Sequence, residues 1–265
     1  MNTDEKMAST QAAKKELRSK IKHILSGISK DSITKQSSTA TRNLLSLPEY
    51  QSAKTLSVYL SMPSGEIQTT DIVRDAFKKG KQVYVPYIYQ LEATPSGEKS
   101  SIMEMLALQS MEDYDSLQPD KWGIPSLDKE TLAARQNCLG GHGLQGLQPP
   151  SRESTGLDFI VMPGMAFDES FARLGHGKGY YDHFLNRYHS IMKDSSATRR
   201  PYLGEKSHSS VQPNTYSTTD MLVGIAALSL QEQILTPPDK VPVADHDCPV
   251  DMLVVGDGRV LSRKS

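Results

Sequence analysis

Short runs of apolar and β-branched residues recur along the chain at Thr55–Met62, Gln82–Tyr89, Leu157–Met162, Met221–Leu228 and Met252–Val255, and most are separated by stretches of helical period. Runs of that length suit buried strands, and their alternation with helices leads to an α/β fold. Met103–Gln109 alternates like a further strand. Among the predicted helices, Ala12–Ile28 repeats Ala13, Leu17, Ile21, Ile24 and Leu25 at helical spacing, with Lys14, Lys15, Arg18, Lys20 and Lys22 between them. A weaker helix is predicted at Thr39–Leu45, ahead of Pro48. Thr70–Lys79 has a threonine start and a Gly80 stop, Tyr180–Met192 is helical, and Leu230–Leu235 is a short helix between two strands. Ligands of such sheets gather at the loops leaving the carboxyl ends of strands.

A chain of 265 residues can bury a core without disulfides or metal staples. Its net charge of -1 gives no bulk positive field for nucleic acid or an acidic membrane. Cys138 and Cys248 are too few for a disulfide framework and lack zinc-site spacing, which suits a reducing compartment. Asp4 and Glu5 make the start unlike a secretory or transit peptide. No stretch approaches the ~18 consecutive apolar residues of a membrane span. A cytosolic protein is expected, with mitochondrial import as the minor alternative. Leu127–Thr155 is rich in Gly, Gln, Pro and Ser without structural period and is expected to be a mobile insertion. Ser195–Asp220 is similarly rich in Ser and Thr.

The segment RLGHGKGYYD, Arg173–Asp182, places glycines at alternate positions among cationic residues. Glycine lets backbone N–H groups converge on phosphate oxygens, Arg173 and Lys178 add charge, and a helix starting after Gly179 directs its positive end at the same anion. The same string also suits a glycine-rich hairpin with solvated charges. It is neither a Walker A loop nor a dinucleotide fingerprint. Asp182 and the distant Asp247 are candidate magnesium ligands, or a helix-start and a turn residue respectively. His246 lacks a second histidine at ligand spacing. Lys14 and Arg18, one turn apart, could meet polyphosphate or solvent. Glu66 follows a turn at a strand end, and Trp122 suits either a flat ligand or the core.

In order and content, KKELR on the first helix, YLSMPSGEIQT, KWGIP, DFIVMPGMAFD running into RLGHGKGYYD, and VPVADHDCPVD resemble the 5-formyltetrahydrofolate cyclo-ligases, also called methenyltetrahydrofolate synthetases. The resemblance covers Lys14–Val255 apart from the two low-complexity stretches, which look like insertions in a single domain. It implies a three-layer α/β/α sandwich with a mostly parallel mixed sheet, like that of ribose-phosphate isomerases and CoA transferases. It also implies ATP- and magnesium-dependent closure of 5-formyltetrahydrofolate to 5,10-methenyltetrahydrofolate. ATP would be held by Lys14, Lys15, Glu16, Leu17, Arg18, Arg173, Leu174, Gly175, His176, Gly177, Lys178, Gly179, Tyr180 and Tyr181. Folate would be contacted by Leu60, Glu66, His176, Gly177, Lys178, Gly179 and Tyr180, and magnesium by Asp182 and Asp247. Arg173 and Lys178 would supply the catalytic charge. His176 stands where the family varies, so it is assigned contact without proton transfer. The substrates are the only partners implied, with a monomer expected. A fold does not dictate function, so a sugar-phosphate isomerase and a non-catalytic nucleotide or folate binder are the alternatives.

Overall fold

The computed structural model describes residues 3–91, 101–145, 156–194, 199–201 and 221–263. In chain order its helices are α1 (Thr3–Ser26), α2 (Lys30–Ser46), α3 (Pro48–Ser52), α4 (Thr70–Lys78), α5 (Met111–Ser116) and α6 (Tyr180–Asp194). The main sheet contains β1 (Thr55–Val58), β2 (Gln82–Gln90), β3 (Ser101–Leu108), β4 (Phe159–Met162), β5 (Met221–Ser229), β6 (Met252–Val255) and β7 (Val260–Ser262). Their spatial order is β7-β6-β5-β4-β1-β2-β3, with β6, β5, β4, β1 and β2 parallel and β7 and β3 antiparallel at the edges. A further short strand, Arg199–Pro201, pairs with the start of β5.

Alternation along the strands builds the layers. Leu56 and Val58 of β1, Val83 and Val85 of β2, and Phe159 and Val161 of β4 point to one face, where Ala40 and Leu44 of α2, Tyr50 of α3 and Ile72 and Ala76 of α4 cover them. Tyr84, Ile160, Met162, Ile225 and Leu253 point to the other, against Phe184, Leu185 and Tyr188 of α6. The expected α/β/α sandwich with a mostly parallel sheet is therefore present. Each fully buried Leu, Ile or Phe contributes about 1.5–3 kcal/mol, so both faces are strongly held.

Parallel pairing puts the carboxyl ends of β1, β4, β5 and β6 on one edge of the sheet. α1 lies on the loops of that edge, with Leu25 reaching the core of the α2 face. Its Ile21 packs with Met165, Ala166, Ala172, Leu174, Leu235 and Val241. That placement explains its sequence, because the side turned inward carries Lys14, Leu17, Arg18 and Ile21, while Ile24, assigned to the apolar stripe, is exposed.

Several boundaries differ from expectation for identifiable reasons. α2 begins at Lys30 rather than Thr39, since Ser29 caps Ser32 N and burial of Ile33, Gln36 and Ser37 overrides the weak helix propensity of this polar stretch. α1 starts at Thr3 and β1 stops at Val58, the remainder to Met62 being loop. α3, α5 and β7 were not foreseen, and the helix expected at Leu230–Leu235 is a 3-10 turn at Gln231–Gln233.

The expectation of a mobile insertion from Leu127 needs correction over its first part. Residues 127–145 are stitched to β3 and α5 by polar groups: Arg135 meets Asp113 through Nη1 at 2.7 Å and Nη2 at 2.8 Å, and Cys138 N donates to Met105 O at 3.0 Å. Asn137 Nδ2 reaches Glu104 Oε2 at 2.9 Å. Leu127, Leu132, Cys138 and Leu139 are buried as well, but their irregular spacing gives no helical or strand period to detect. Residues 146–155, and Ser195–Asp220 except 199–201, lie outside the described residues.

Candidate active site

The loop from β4 to α6 folds back on itself as a miniature hairpin, Ala166–Phe167 pairing with Arg173–Leu174. Asp168 locks its turn: Oδ1 accepts from Ser170 N at 2.9 Å and Ala172 N at 3.2 Å, while Oδ2 accepts from Val241 N at 2.8 Å. Gln233 holds the hairpin's other end by donating to Gly164 O at 2.6 Å. Sequence reasoning did not single out Asp168 or Gln233, although the aspartate sits inside the quoted GMAFD. Beyond the hairpin, Gly177 and Gly179 take φ of 103° and 65°, the left-handed region that glycine enters without strain. The chain then turns directly into α6, whose first N–H groups lack intrahelical partners.

Charged groups converge on this turn from two sides. From α1, Arg18 Nε donates to Gly175 O at 2.9 Å, and a side chain at Gly177 would stand 3.4 Å from the Arg18 guanidinium. Burial lowers the Arg18 pKa from its ordinary value, and Asp247 opposes that effect. Lys14, only 5% exposed, pairs with Asp247 Oδ2 at 2.5 Å, and Ala244 N donates to the same oxygen at 2.7 Å. Lys15 and Glu16, in contrast, are exposed on the outer side of α1. Within the loop, Arg173 Nη2 pairs with Asp182 Oδ2 at 2.9 Å, Cys248 N donates to Asp182 Oδ1 at 3.1 Å, and the guanidinium lies 5.7 Å from the Tyr181 ring centroid. Asp182 and Asp247, remote in sequence, therefore flank one peptide group.

From the β1 side, Glu66 is almost wholly buried; its Oε2 accepts from Met62 N at 3.1 Å and its Oε1 lies 3.2 Å from His176 Nε2. The carboxylate of the SGEI turn thus touches the glycine loop. Burial, with Glu66 nearby, drives the Tyr59 hydroxyl well above its ordinary pKa; it donates to Ile67 O at 2.8 Å. Burial likewise raises Tyr181, with Glu66 adding and Arg173 opposing. The Tyr181 hydroxyl and Arg173 Nε are buried with no hydrogen-bond partner among the described residues.

The model of the 5-formyltetrahydrofolate cyclo-ligase family matches residues 10–199. The chain belongs to that family. It is 30% identical over 243 residues to a probable 5-formyltetrahydrofolate cyclo-ligase of Schizosaccharomyces pombe, covering 91% of this chain and 94% of the relative. Against the 5-formyltetrahydrofolate cyclo-ligase of Mus musculus it is 30% identical over 246 residues, 93% of this chain and 95% of that one. The fold is shared with the solved 5,10-methenyltetrahydrofolate synthetase of Aquifex aeolicus, at a TM-score of 0.55 and 22% identity over 95% of this chain and 94% of that one.

Within this cyclo-ligase family member, most of the positions named from sequence gather at one place. Lys14, Arg18, Glu66, Arg173, Gly175, His176, Gly177, Lys178, Gly179, Tyr180, Tyr181, Asp182 and Asp247 lie at or beside the glycine turn. Leu60 and Leu174 are buried in core clusters. Trp122 is 61% exposed and is no core residue. A Cβ at its neighbour Gly123 would meet Pro63 Cγ at 2.7 Å, which sets KWGIP beside the turn that carries Glu66. His246 is exposed, with Nε2 3.7 Å from Asp247 Oδ1.

Lys178 is exposed at the apex of the turn. Lys178→Ala is expected to leave the thermal midpoint unchanged and to lower turnover roughly 10²-fold, the scale seen when one stabilising donor is removed from developing charge. A melting curve and a steady-state rate at saturating ATP check both halves.

Proposed function

We propose that the cleft between α1, the SGEI turn and the glycine turn performs ATP-dependent ring closure of 5-formyltetrahydrofolate to 5,10-methenyltetrahydrofolate. The observation that carries this reading is the contact of one glycine turn with both Arg18 of α1 and, through His176, Glu66. A nucleotide held on the α1 side would then lie next to a heterocycle held on the Glu66 side.

The chemistry needs that adjacency. A formamide oxygen leaves poorly, so the γ-phosphoryl group of ATP moves to it and ADP is released. N10 then attacks the activated carbon, and phosphate and the N10 proton depart. Positioning and charge stabilisation carry such a path. Lys14 and Arg18 would bind the polyphosphate, Arg173 and Lys178 would stabilise charge on the transferring group, and the backbone from Gly175 to Tyr181 would cradle it. The buried Glu66 carboxylate would accept from donor groups of the pterin, with Tyr180 near both substrates. Lys15, Glu16, Leu17 and Leu174 would act through backbone or helix placement.

Asp182 and Asp247 fit a hard divalent cation in donor type. Their loops meet; Lys14 and Ala244 N both engage Asp247 Oδ2, while Oδ1 faces His246 Nε2 at 3.7 Å. Magnesium is ordinarily held by one or two carboxylates together with phosphate oxygens and water. Magnesium bound there would offset phosphate charge. Lys14 pairs with Asp247 and Arg173 with Asp182. Asp182→Asn is expected to raise the magnesium concentration for half-maximal rate about tenfold or more; an unaltered magnesium titration would remove Asp182 from that role.

The decisive assay mixes protein, 5-formyltetrahydrofolate and magnesium with and without ATP and follows the near-ultraviolet methenyl absorbance. Lack of an ATP-dependent rise would sink the reading. Family membership leaves the sugar-phosphate isomerase alternative without support. No helix among the described residues is long and apolar enough to cross a membrane. A relative from Arabidopsis thaliana is named as mitochondrial.

A further inference from the structure

The segment from Val241 to Val250 carries Asp247 and contains no helix or strand of its own. Its place is therefore set by what holds its ends, and one turn at the tip of the hairpin holds both. At the start, Val241 N donates to Asp168 Oδ2 at 2.8 Å; at the finish, Val250 N donates to Phe171 O at 3.0 Å. Asp168 is 3% exposed, and its Oδ1 accepts from Ser170 N, Ala172 N and the Ser170 hydroxyl at 2.9, 3.2 and 2.6 Å. Those bonds flank Phe171, whose φ of 62° lies in the left-handed region that a bulky residue keeps only when its surroundings over-determine it. One carboxylate thus shapes the turn with one oxygen and seats the Asp247 segment with the other.

We propose that Asp168 is a positioning residue for the nucleotide half of the cleft, fixing where Asp247 and its partner Lys14 stand against the glycine turn. The role rests on the ATP reading above and adds a residue that touches neither substrate. α1 settles on the seat that Asp168 makes: Ile21 packs with Val241, Lys20 Nζ lies 3.6 Å from Asp239, and Lys14 pairs with Asp247. The Glu66 half is held by a separate set of bonds. Glu66 accepts from Met62 N, the Tyr59 hydroxyl donates to Ile67 O, and Thr69 Oγ1 donates to Tyr59 O at 2.7 Å. None of these bonds involves the hairpin tip or the Asp247 segment, so a shift of that segment reaches the nucleotide side and spares the other.

The test compares three variants of the full chain. Val241→Pro removes the donor on the segment's side, at a position that the following Pro242 already confines to extended backbone. Asp168→Asn leaves one acceptor oxygen where two sides donate. Ser170→Ala takes a bond from the same carboxylate and spares the Val241 side. The first two are expected to weaken binding of the β,γ-imido analogue of ATP with magnesium about tenfold by calorimetry, the scale of losing a group that orients a metal ligand. They should raise the KM for ATP to the same extent with the KM for 5-formyltetrahydrofolate unchanged, and Ser170→Ala should bind the analogue like the wild type. Wild-type analogue affinity in both Val241→Pro and Asp168→Asn would overturn the assignment, as would an equal loss in Ser170→Ala or a parallel rise in both KM values. Melting curves accompany the titrations: if one of the two variants does not fold the other decides, and unfolding of both would make Asp168 a stability residue and end the positioning role. Weakened analogue binding in both variants of a chain that shows no turnover would instead refute ring closure and leave Asp168 in its role.

Discussion

Arg173→Ala is expected to lower the unfolding free energy by about 3–5 kcal/mol and to abolish measurable ring closure. The stability loss follows from what stays behind. Asp182 is buried with one oxygen on Arg173 and the other on Cys248 N, so removing the guanidinium strands a carboxylate with a single backbone donor. The hairpin end also loosens, because Arg173 Nη1 reaches Pro163 O at 3.4 Å and a Cβ at Gly164 would already crowd its side chain at 3.1 Å. Domains of ordinary stability have about 5–15 kcal/mol in total, so the variant loses a large share. Adding Asp182→Asn should recover much of the stability, since it removes the stranded charge, while activity stays absent. Denaturant titration of the two variants and of the double variant measures the coupling. Full stability in Arg173→Ala alone would refute the argument, and recovery of turnover in the double variant would show that Arg173 acts only as a structural partner.

The second large effect concerns pH and lies away from the cleft. Asp251 precedes β6; its Oδ2 accepts from Ile225 N at 3.0 Å, and Oδ1 is buried with no hydrogen-bond partner among the described residues. Burial pushes its pKa up to about 7, with the Ile225 bond and Arg263 opposing. A carboxyl group with a folded pKa raised above its unfolded value binds the proton more tightly when folded, so its favourable contribution is complete below pH ~4 and is lost as pH rises through ~7. The displacement corresponds to about 4 kcal/mol at most between those limits. Asp251→Asn keeps an acceptor for Ile225 N and removes the ionisation. The variant is therefore expected to gain stability relative to the wild type at pH 8 and to show little gain at pH 4. Parallel pH profiles of the two proteins would exclude a strained Asp251.

Legibility in the sequence followed the kind of interaction. The strands at Gln82, Phe159 and Met252, the helix at Thr70 and the one opening at Tyr180 were visible because burial on one or both faces writes an apolar period into the chain. α2 was read too short, since Gln36, Ser37 and Thr41 are buried polar residues that no hydrophobic pattern reveals. The segment from 127 to 145 was read as free because its buried Leu127, Leu132, Cys138 and Leu139 follow no period, and Arg135, Asn137 and their partners hold it by hydrogen bonds. The RLGHGKGYYD turn was recognisable from glycine, charge and neighbouring motifs. The hairpin supports Asp168 and Gln233 were not, as each works through backbone groups whose identity leaves no trace in side-chain type.

The amino-acid sequence by itself determined the α/β class and the segments bearing the charged groups, because periodicity and glycine spacing are local properties; the mostly parallel sheet and the family followed from the resemblance of its motifs. Only the tertiary structure decided that α1 lies across the sheet edge, that Lys14 faces Asp247 while Lys15 faces solvent, and that Glu66 touches the glycine turn through His176. Those contacts join residues remote along the chain, and long-range pairing of charges depends on how the loops close rather than on any pattern within them.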